Sequence, residues 1–257
     1  MRSARILFEG AVHNALVTSD SELSLDDGRQ LPAQSCIFLP PATGTMYAVG
    51  LNYAEHASEL SFQAPPEPLI FVKAPGALAG HGARCPRPDG VKLMHFEGEL
   101  AVVIGRQARR VPRDNALDFV AGYTICNDYA VRDYLENFYR PNLRVKSRDG
   151  LTPVGPWIVP VTELGDGAGL ELRTLVNGRE HQNGNTRDLI FSVSYLIEYL
   201  SRILTLAPGD MIATGTPPGV SDVQPGDEVV VEIERIGSLA STIVSEHDHY
   251  RVAEHSS

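Results

Sequence analysis

Cysteine, tryptophan and cationic side chains are all scarce in this chain. Its three cysteines, Cys36, Cys85 and Cys126, are scattered and form no C-x-x-C pair. That excludes a disulfide framework or a cysteine-based zinc site and points to a reducing compartment. Only 22 Lys and Arg stand against 32 Asp and Glu, for a formal net charge of -10. Such a balance excludes nucleic acid or an anionic membrane as the main partner, while still allowing a locally basic pocket. No apolar stretch approaches the roughly 18 residues of a membrane span. Residues 1–10 lack the long apolar centre of a secretory leader. A Gly-x-Ser-x-Gly elbow, a dinucleotide fingerprint and a phosphate P-loop are all missing. The expectation is a cytoplasmic protein acting on a small molecule. With 257 residues, 43% of them hydrophobic, it can bury a full core without staples.

Short apolar or alternating runs predict many strands. They fall at residues 5–8, 15–18, 46–51, 69–73, 99–104, 123–126, 170–176, 211–214 and 228–234. Asn177–Gly178 after the 170–176 run is a hairpin signal. A short helix is expected over 53–60, another from an Asp114 cap to Phe119, and one long helix over 187–206 capped by Thr186. The sum is a strand-dominated α+β chain. Pro40–Pro41 reads as a linker, dividing a small N-terminal β segment (1–45) from a catalytic domain (46–257).

The most informative stretch is His95-Phe96-Glu97-Gly98-Glu99. On a strand, alternate residues share a face, so Glu97 and Glu99 point the same way. Like charges so close repel unless a cation or proton lies between them. Gly98 leaves the opposite face bare for close approach. Asp128, at the end of another β-rich segment, completes a three-acid, all-oxygen set suited to Mg²⁺ or Mn²⁺. The competing reading is a solvated sheet face, and the apolar run 100–104 argues against it.

Other polar clusters are weaker. His56 and Glu59, three apart on a helix, form either a general acid–base pair or a surface pair. Arg144, Lys146 and Arg148 alternate and, if extended, put three cations on one face, as an anion basket or a solvated edge. The loop 215–219 offers backbone N–H groups and the Thr216 hydroxyl for a carboxylate, or is an ordinary turn. Gln182 either reads a substrate oxygen or is a plain hairpin residue. Arg106, Arg109, Arg110 and Arg113 read as a solvated loop.

Taken in order, these residues resemble the fumarylacetoacetate hydrolase family. The marks are Asn52-Tyr53 with His56 and Glu59, His95-x-Glu97-x-Glu99, Asn127–Asp128, Lys146–Ser147, Gln182-x-Gly184-Asn185-Thr186 and Gly215-Thr216-Pro217, covering roughly residues 46–246. The resemblance implies a mixed β-roll and a divalent metal, with Glu97, Glu99 and Asp128 as ligands and Lys146 as active-site lysine. It also implies a His56–Glu59 dyad on a closing lid, substrate contacts at Gln182 and Thr216, and a homodimer. Where acylpyruvate hydrolases usually continue Lys-Ser-Phe-Asp-Thr, this chain reads Lys146-Ser147-Arg148-Asp149-Gly150. That segment and residues 132–143 resemble the branch that decarboxylates 5-oxopent-3-ene-1,2,5-tricarboxylate and isomerises 2-hydroxyhepta-2,4-diene-1,7-dioate in 4-hydroxyphenylacetate catabolism. The well-known form of that branch holds two repeats in tandem, and this chain holds one. The implied activity is a Mg²⁺-dependent decarboxylase/isomerase of an unsaturated 2-oxo di- or tricarboxylate, through a metal-stabilised dienolate. Arg144 and Arg148 would serve its carboxylates. The alternatives are an acylpyruvate C–C hydrolase and a non-catalytic partner subunit of an active homologue.

Overall fold

A computed structural model describes residues 1–59, 63, 65–135 and 143–254. Position 60 of the expected 53–60 helix and positions 136–142 of the subgroup stretch lie outside the described residues. Among the described residues no helix is long and apolar enough to cross a membrane. The fold is strand-dominated, as the sequence pattern predicts, and its sheets are mixed, as the resemblance implies.

One large sheet runs in the order Gln30–Pro32, Glu22–Leu25, Ala11–Ser19, Ser3–Phe8, Thr152–Pro160, Val120–Asn127, Gly98–Ile104, Met211–Ala213, Met46–Gly50, Leu69–Lys73. A second sheet runs Arg179–Asn185, Glu171–Val176, Glu228–Ile233, Gly237–Ser245, Ala83–Arg87. Both contain antiparallel and parallel pairs. A two-stranded ribbon joins Met94–His95 to Ala130–Val131. The N-terminal strands extend the large sheet, since Ser3–Phe8 pairs with Thr152–Pro160 at Ser3↔Ile158.

Gly98–Ile104 is buried at every position, as its unbroken apolar run requires of a central strand covered on both faces. Its even residues, Leu100, Val102 and Ile104, join Leu172, Val231 and Ile233 of the second sheet in one core. Its odd residues, Ala101 and Val103, pack with Met46, Cys126 and Met211 in another. Two-residue periodicity therefore sends Glu99 to the second face and Gly98 toward the other sheet. A Cβ at Gly98 would stand 2.4 Å from Thr174 Oγ1 and 2.9 Å from Val231 Cγ1. Glycine is what lets the sheets close there.

The hairpin forms as expected, with positive φ at both Asn177 (51°) and Gly178 (76°), the signature of a type I′ turn. Three local expectations are corrected. The long helix spans only Val193–Ile203, capped by Ser192, whose hydroxyl accepts from Tyr195 N–H. Residues 189–191 are diverted to pair with Asn52 and Tyr53: Ile190 N–H donates to Asn52 O, and Asn52 Oδ1 accepts from Phe191 N–H. Asp114 caps nothing, because the 3₁₀ helix Arg113–Phe119 begins after Pro112 without a side-chain cap. Residues Leu143–Lys146 form one helical turn, not an extended strip. Arg144, Lys146 and Arg148 consequently diverge.

Candidate metal centre and active site

Glu97 leads into the strand Gly98–Ile104, and Asp128 follows its neighbour Val120–Asn127. The antiparallel register Gly98↔Asn127 brings the two acids together. Asp128 N–H donates to Glu97 O (2.8 Å), and Glu97 N–H to Asn127 Oδ1 (3.0 Å). One oxygen each of Glu97, Glu99 and Asp128 lies within 4.8 Å of the others, and all three residues are buried.

Three cations face the three acids. Lys146 Nζ donates to Glu97 Oε2 (2.5 Å), Asp128 Oδ2 (3.0 Å) and Asp128 O (3.0 Å). Lys73, at the end of the strand Leu69–Lys73 and fully buried, donates to Asp128 Oδ1. Arg132 Nη2 donates to Glu97 Oε1 (2.8 Å), and its Nε reaches His95 Nδ1 (3.1 Å). Burial alone would raise the Glu97 carboxyl, but Lys146, Arg132 and His56 overcome it and hold the group at about 2. Burial opposes charge on Lys146 too, yet Asp128 and Glu97 prevail and raise its pKa.

Glu99 is treated differently. Among the described residues it forms no ion pair with Lys or Arg; its Oε2 accepts from Gly215 N–H (2.7 Å). Burial first, then Asp128 and Glu97, push its carboxyl well above the usual range. A buried acid with two acidic neighbours and no cation of its own fits a divalent-cation site, and the all-oxygen donor set fits a hard cation. Cys126 pairs with Glu99 in the sheet register, but burial and these acids push its thiol well up, so it offers no thiolate.

His56 and Glu59 lie on the helix Ala54–Glu59. His56 Nδ1 is 3.1 Å from Glu59 Oε2, while Glu59 Oε1 accepts from Gly219 N–H (3.0 Å). Glu59 thus ties the dyad to the loop that also carries Gly215. A side chain at Gly219 would meet His181 O at 2.1 Å.

Gln182 and Thr216 lie behind the acids. The Gln182 Oε1 accepts from Gly98 N–H (3.1 Å) and Thr174 Oγ1 (2.7 Å). Its Nε2 donates to Thr216 Oγ1 and Pro217 O (both 2.8 Å). Thr216 Oγ1 donates onward to Gly98 O (2.8 Å). Both side chains brace the Glu97–Gly98–Glu99 backbone against the Gly215 loop instead of presenting a free polar atom. Of the expected cationic basket, only Lys146 enters the acid cluster. Arg144 stacks on Tyr134, 4.0 Å from its ring centroid, and Arg148 pairs with Glu246.

Sequence reasoning gave no role to Lys73, Arg132 or His95; it offered the N–H groups of loop 215–219 to a carboxylate, and Gly215 N–H serves that of Glu99. Lys73 left a signal, being the one charge ending the apolar run Leu-Ile-Phe-Val. Arg132 stood inside the 132–143 stretch without a role. The cation partners come from strands distant in sequence, so spacing alone does not reveal them.

A buried carboxylate triad lies at adjoining sheet-strand ends with lysine and arginine on it and a His–Glu pair nearby, an all-oxygen donor set that fits a divalent cation. The profile for the fumarylacetoacetate (FAA) hydrolase C-terminal domain matches residues 45–244, and the chain belongs to that family. It is 62% identical over 205 residues to a 4-hydroxyphenylacetate degradation bifunctional isomerase/decarboxylase of Salmonella dublin, covering 80% of this chain and 48% of that one. The chain thus spans about half the length of the curated relatives it matches. Among solved structures it resembles 5-carboxymethyl-2-hydroxymuconate delta-isomerase from Mycobacterium smegmatis (38% identity, TM-score 0.86, 96% and 99% of the two chains). It also resembles fumarylpyruvate hydrolase from Pseudomonas aeruginosa in complex with Mn²⁺ and pyruvate (28% identity, TM-score 0.75, 90% and 99%).

Proposed function

We propose that the chain is a divalent-cation-dependent decarboxylase/isomerase of an unsaturated 2-oxo di- or tricarboxylate, in the catabolism of 4-hydroxyphenylacetate. The observation that carries this reading is the balance of charge in the buried cluster. Lys73, Lys146 and Arg132 pair with Glu97 and Asp128, while Glu99 keeps its proton until a metal arrives to displace it. A divalent cation then leaves two positive charges in a dry site, which an anionic substrate offsets. The 62% identity to isomerase/decarboxylases supports the choice of branch.

Glu97, Glu99 and Asp128 would hold the cation, with Mg²⁺ as our choice and Mn²⁺ as a substitute. When bound, it supplies Lewis-acid polarisation of a 2-oxo carbonyl and positive charge against electrons released by C–C cleavage. Lys146 stays charged and holds negative charge on the substrate beside it. Glu59 accepts from His56 Nδ1–H, which leaves Nε2 basic and able to take up or return a proton. That proton completes decarboxylation and moves the double bond in the tautomer step. Helix Ala54–Glu59, tied to Gly219 through Glu59, covers the site and excludes water. Gln182 and Thr216 position the Glu97–Gly98–Glu99 segment against the Gly215 loop. We further propose that residues 46–257 form the catalytic domain with 1–45 as an added β segment, and that the protein works as a cytoplasmic homodimer.

The test uses purified protein with Mg²⁺, 5-oxopent-3-ene-1,2,5-tricarboxylate and, in parallel, fumarylpyruvate, following CO₂ and ultraviolet absorbance. Chelator-sensitive CO₂ release from the tricarboxylate is expected. Cleavage of fumarylpyruvate into two acids without CO₂ would replace this reading by the hydrolase, to which the Pseudomonas neighbour also corresponds. No turnover of either, with pathway activity retained after Glu97→Ala and Glu99→Ala, would favour a non-catalytic partner subunit.

A further inference from the structure

We propose that His95 is a positioning residue which, through Arg132, fixes the Glu97 carboxylate in the cation site. This rests on reading Glu97, Glu99 and Asp128 as cation ligands. Arg132 Nε lies 3.1 Å from His95 Nδ1, and Arg132 Nη2 lies 2.8 Å from Glu97 Oε1. A guanidinium has donors only. His95 Nδ1 must therefore be the acceptor, which makes the imidazole neutral with its proton on Nε2. The other tautomer, or an imidazolium, would set N–H against N–H. The three side chains form a directed chain in which Arg132 donates to His95 on one side and to Glu97 on the other.

The backbone is built to hold this arrangement. His95 sits on one strand of the small ribbon and Arg132 directly follows the other, in the register Met94↔Val131 and His95↔Ala130. Arg132 N–H donates to Leu93 O (2.9 Å). Asp133 clamps the first strand through Lys92 N–H and Leu93 N–H (both 2.8 Å). Asp222 Oδ1 clamps it again through Met94 N–H (2.8 Å) and is itself held by Arg87 (2.8 Å). Glu97 lies two residues beyond His95 and Asp128 two residues before Ala130, each between a ribbon strand and a strand of the large sheet. The ribbon therefore spans both ligand-bearing segments. With Lys146 on Glu97 Oε2 and Arg132 on Oε1, the carboxylate plane has one orientation. Without the His95 acceptor the guanidinium can rotate, and Oε1 loses its fixed partner.

The experiment compares His95→Ala, His95→Asn and His95→Gln by Mn²⁺ titration, with heat stability as a folding control. Asn places an amide oxygen where Nδ1 stands, whereas Gln carries it one methylene further. Removal of such a partner weakens metal binding by about ten-fold or more. That loss is expected for His95→Ala and His95→Gln, with His95→Asn close to wild type. In parallel, ¹⁵N NMR of histidine-labelled wild type is expected to find His95 bare at Nδ1 and protonated at Nε2. A proton on Nδ1, or His95→Asn as weak as His95→Ala, overturns the proposal. Should His95→Ala not fold, the NMR spectrum and His95→Asn still decide it. If wild type binds no Mn²⁺, the cation reading fails, while the tautomer still tests the His95–Arg132 contact separately.

Discussion

Replacing Glu99 by Gln is expected to abolish divalent-cation binding and turnover while making the metal-free protein more heat-stable. The two effects share one cause. Burial and the neighbouring Asp128 and Glu97 raise the Glu99 carboxyl well above the usual range. An unfolded Glu ionises near pH ~4.3. Between that pH and the raised folded value, the unfolded state releases a proton that the folded state keeps, so stability falls as pH rises. Below the unfolded value the difference vanishes and the folded carboxyl carries no penalty. Gln imitates the protonated acid at every pH, so it removes the slope along with the ligand. The check is melting temperature against pH in EDTA, with Mn²⁺ titration alongside. Wild type should lose stability above the ordinary Glu range and Glu99→Gln should not. A variant that still binds Mn²⁺, or that melts below wild type in EDTA at neutral pH, would sink this account of Glu99.

Lys73→Met is expected to do the reverse. Lys73 is fully buried and its ammonium contacts Asp128 Oδ1, which no other cation among the described residues reaches. Breaking a buried pair from one side costs about 3–5 kcal/mol when the remaining charge is left alone; Lys146 still holds Asp128 Oδ2, which sets the loss toward the lower end of that range. For a chain of this size each ~1 kcal/mol moves the melting temperature by roughly 2–4 °C. A divalent cation at Glu97, Glu99 and Asp128 supplies the missing positive charge. The loss should therefore be large in EDTA and smaller in saturating Mn²⁺, because ligand binding to the folded state adds stability. Equal losses in both conditions would mean that no cation shares Asp128 with Lys73.

The strands were legible because their causes are local. The run at 99–104 and the alternation at 228–233 state burial directly in residue types, and Asn177–Gly178 states its turn through φ. Glu97 and Glu99 were legible for the same reason, since a period of two fixes the face and Gly98 marks the close sheet; Asp128 was legible only as an acid ending a second β-rich segment, and the Gly98↔Asn127 register brings it in. What the sequence hid depends on contacts between distant segments. The helix start moved to Val193 because Asn52 captures residues 190 and 191. Arg148 turned from the site because Glu246, 98 residues away, supplies its partner. Gln182 is a brace because Thr174, Gly98 and Thr216 together use its amide. Lys73 enters only after the sheet order brings its strand beside Asp128, and Arg132 only after the ribbon pairing turns it back onto Glu97.

The account stands on a divalent cation held by three carboxylates, and anomalous diffraction from crystals grown with Mn²⁺ tests that directly. One strong peak is predicted, ligated by Glu97, Glu99 and Asp128, and absent in crystals of Glu99→Gln. A peak held by other residues, or none at the triad with Lys146 still bonded to Glu97 and Asp128 as here, would contradict it.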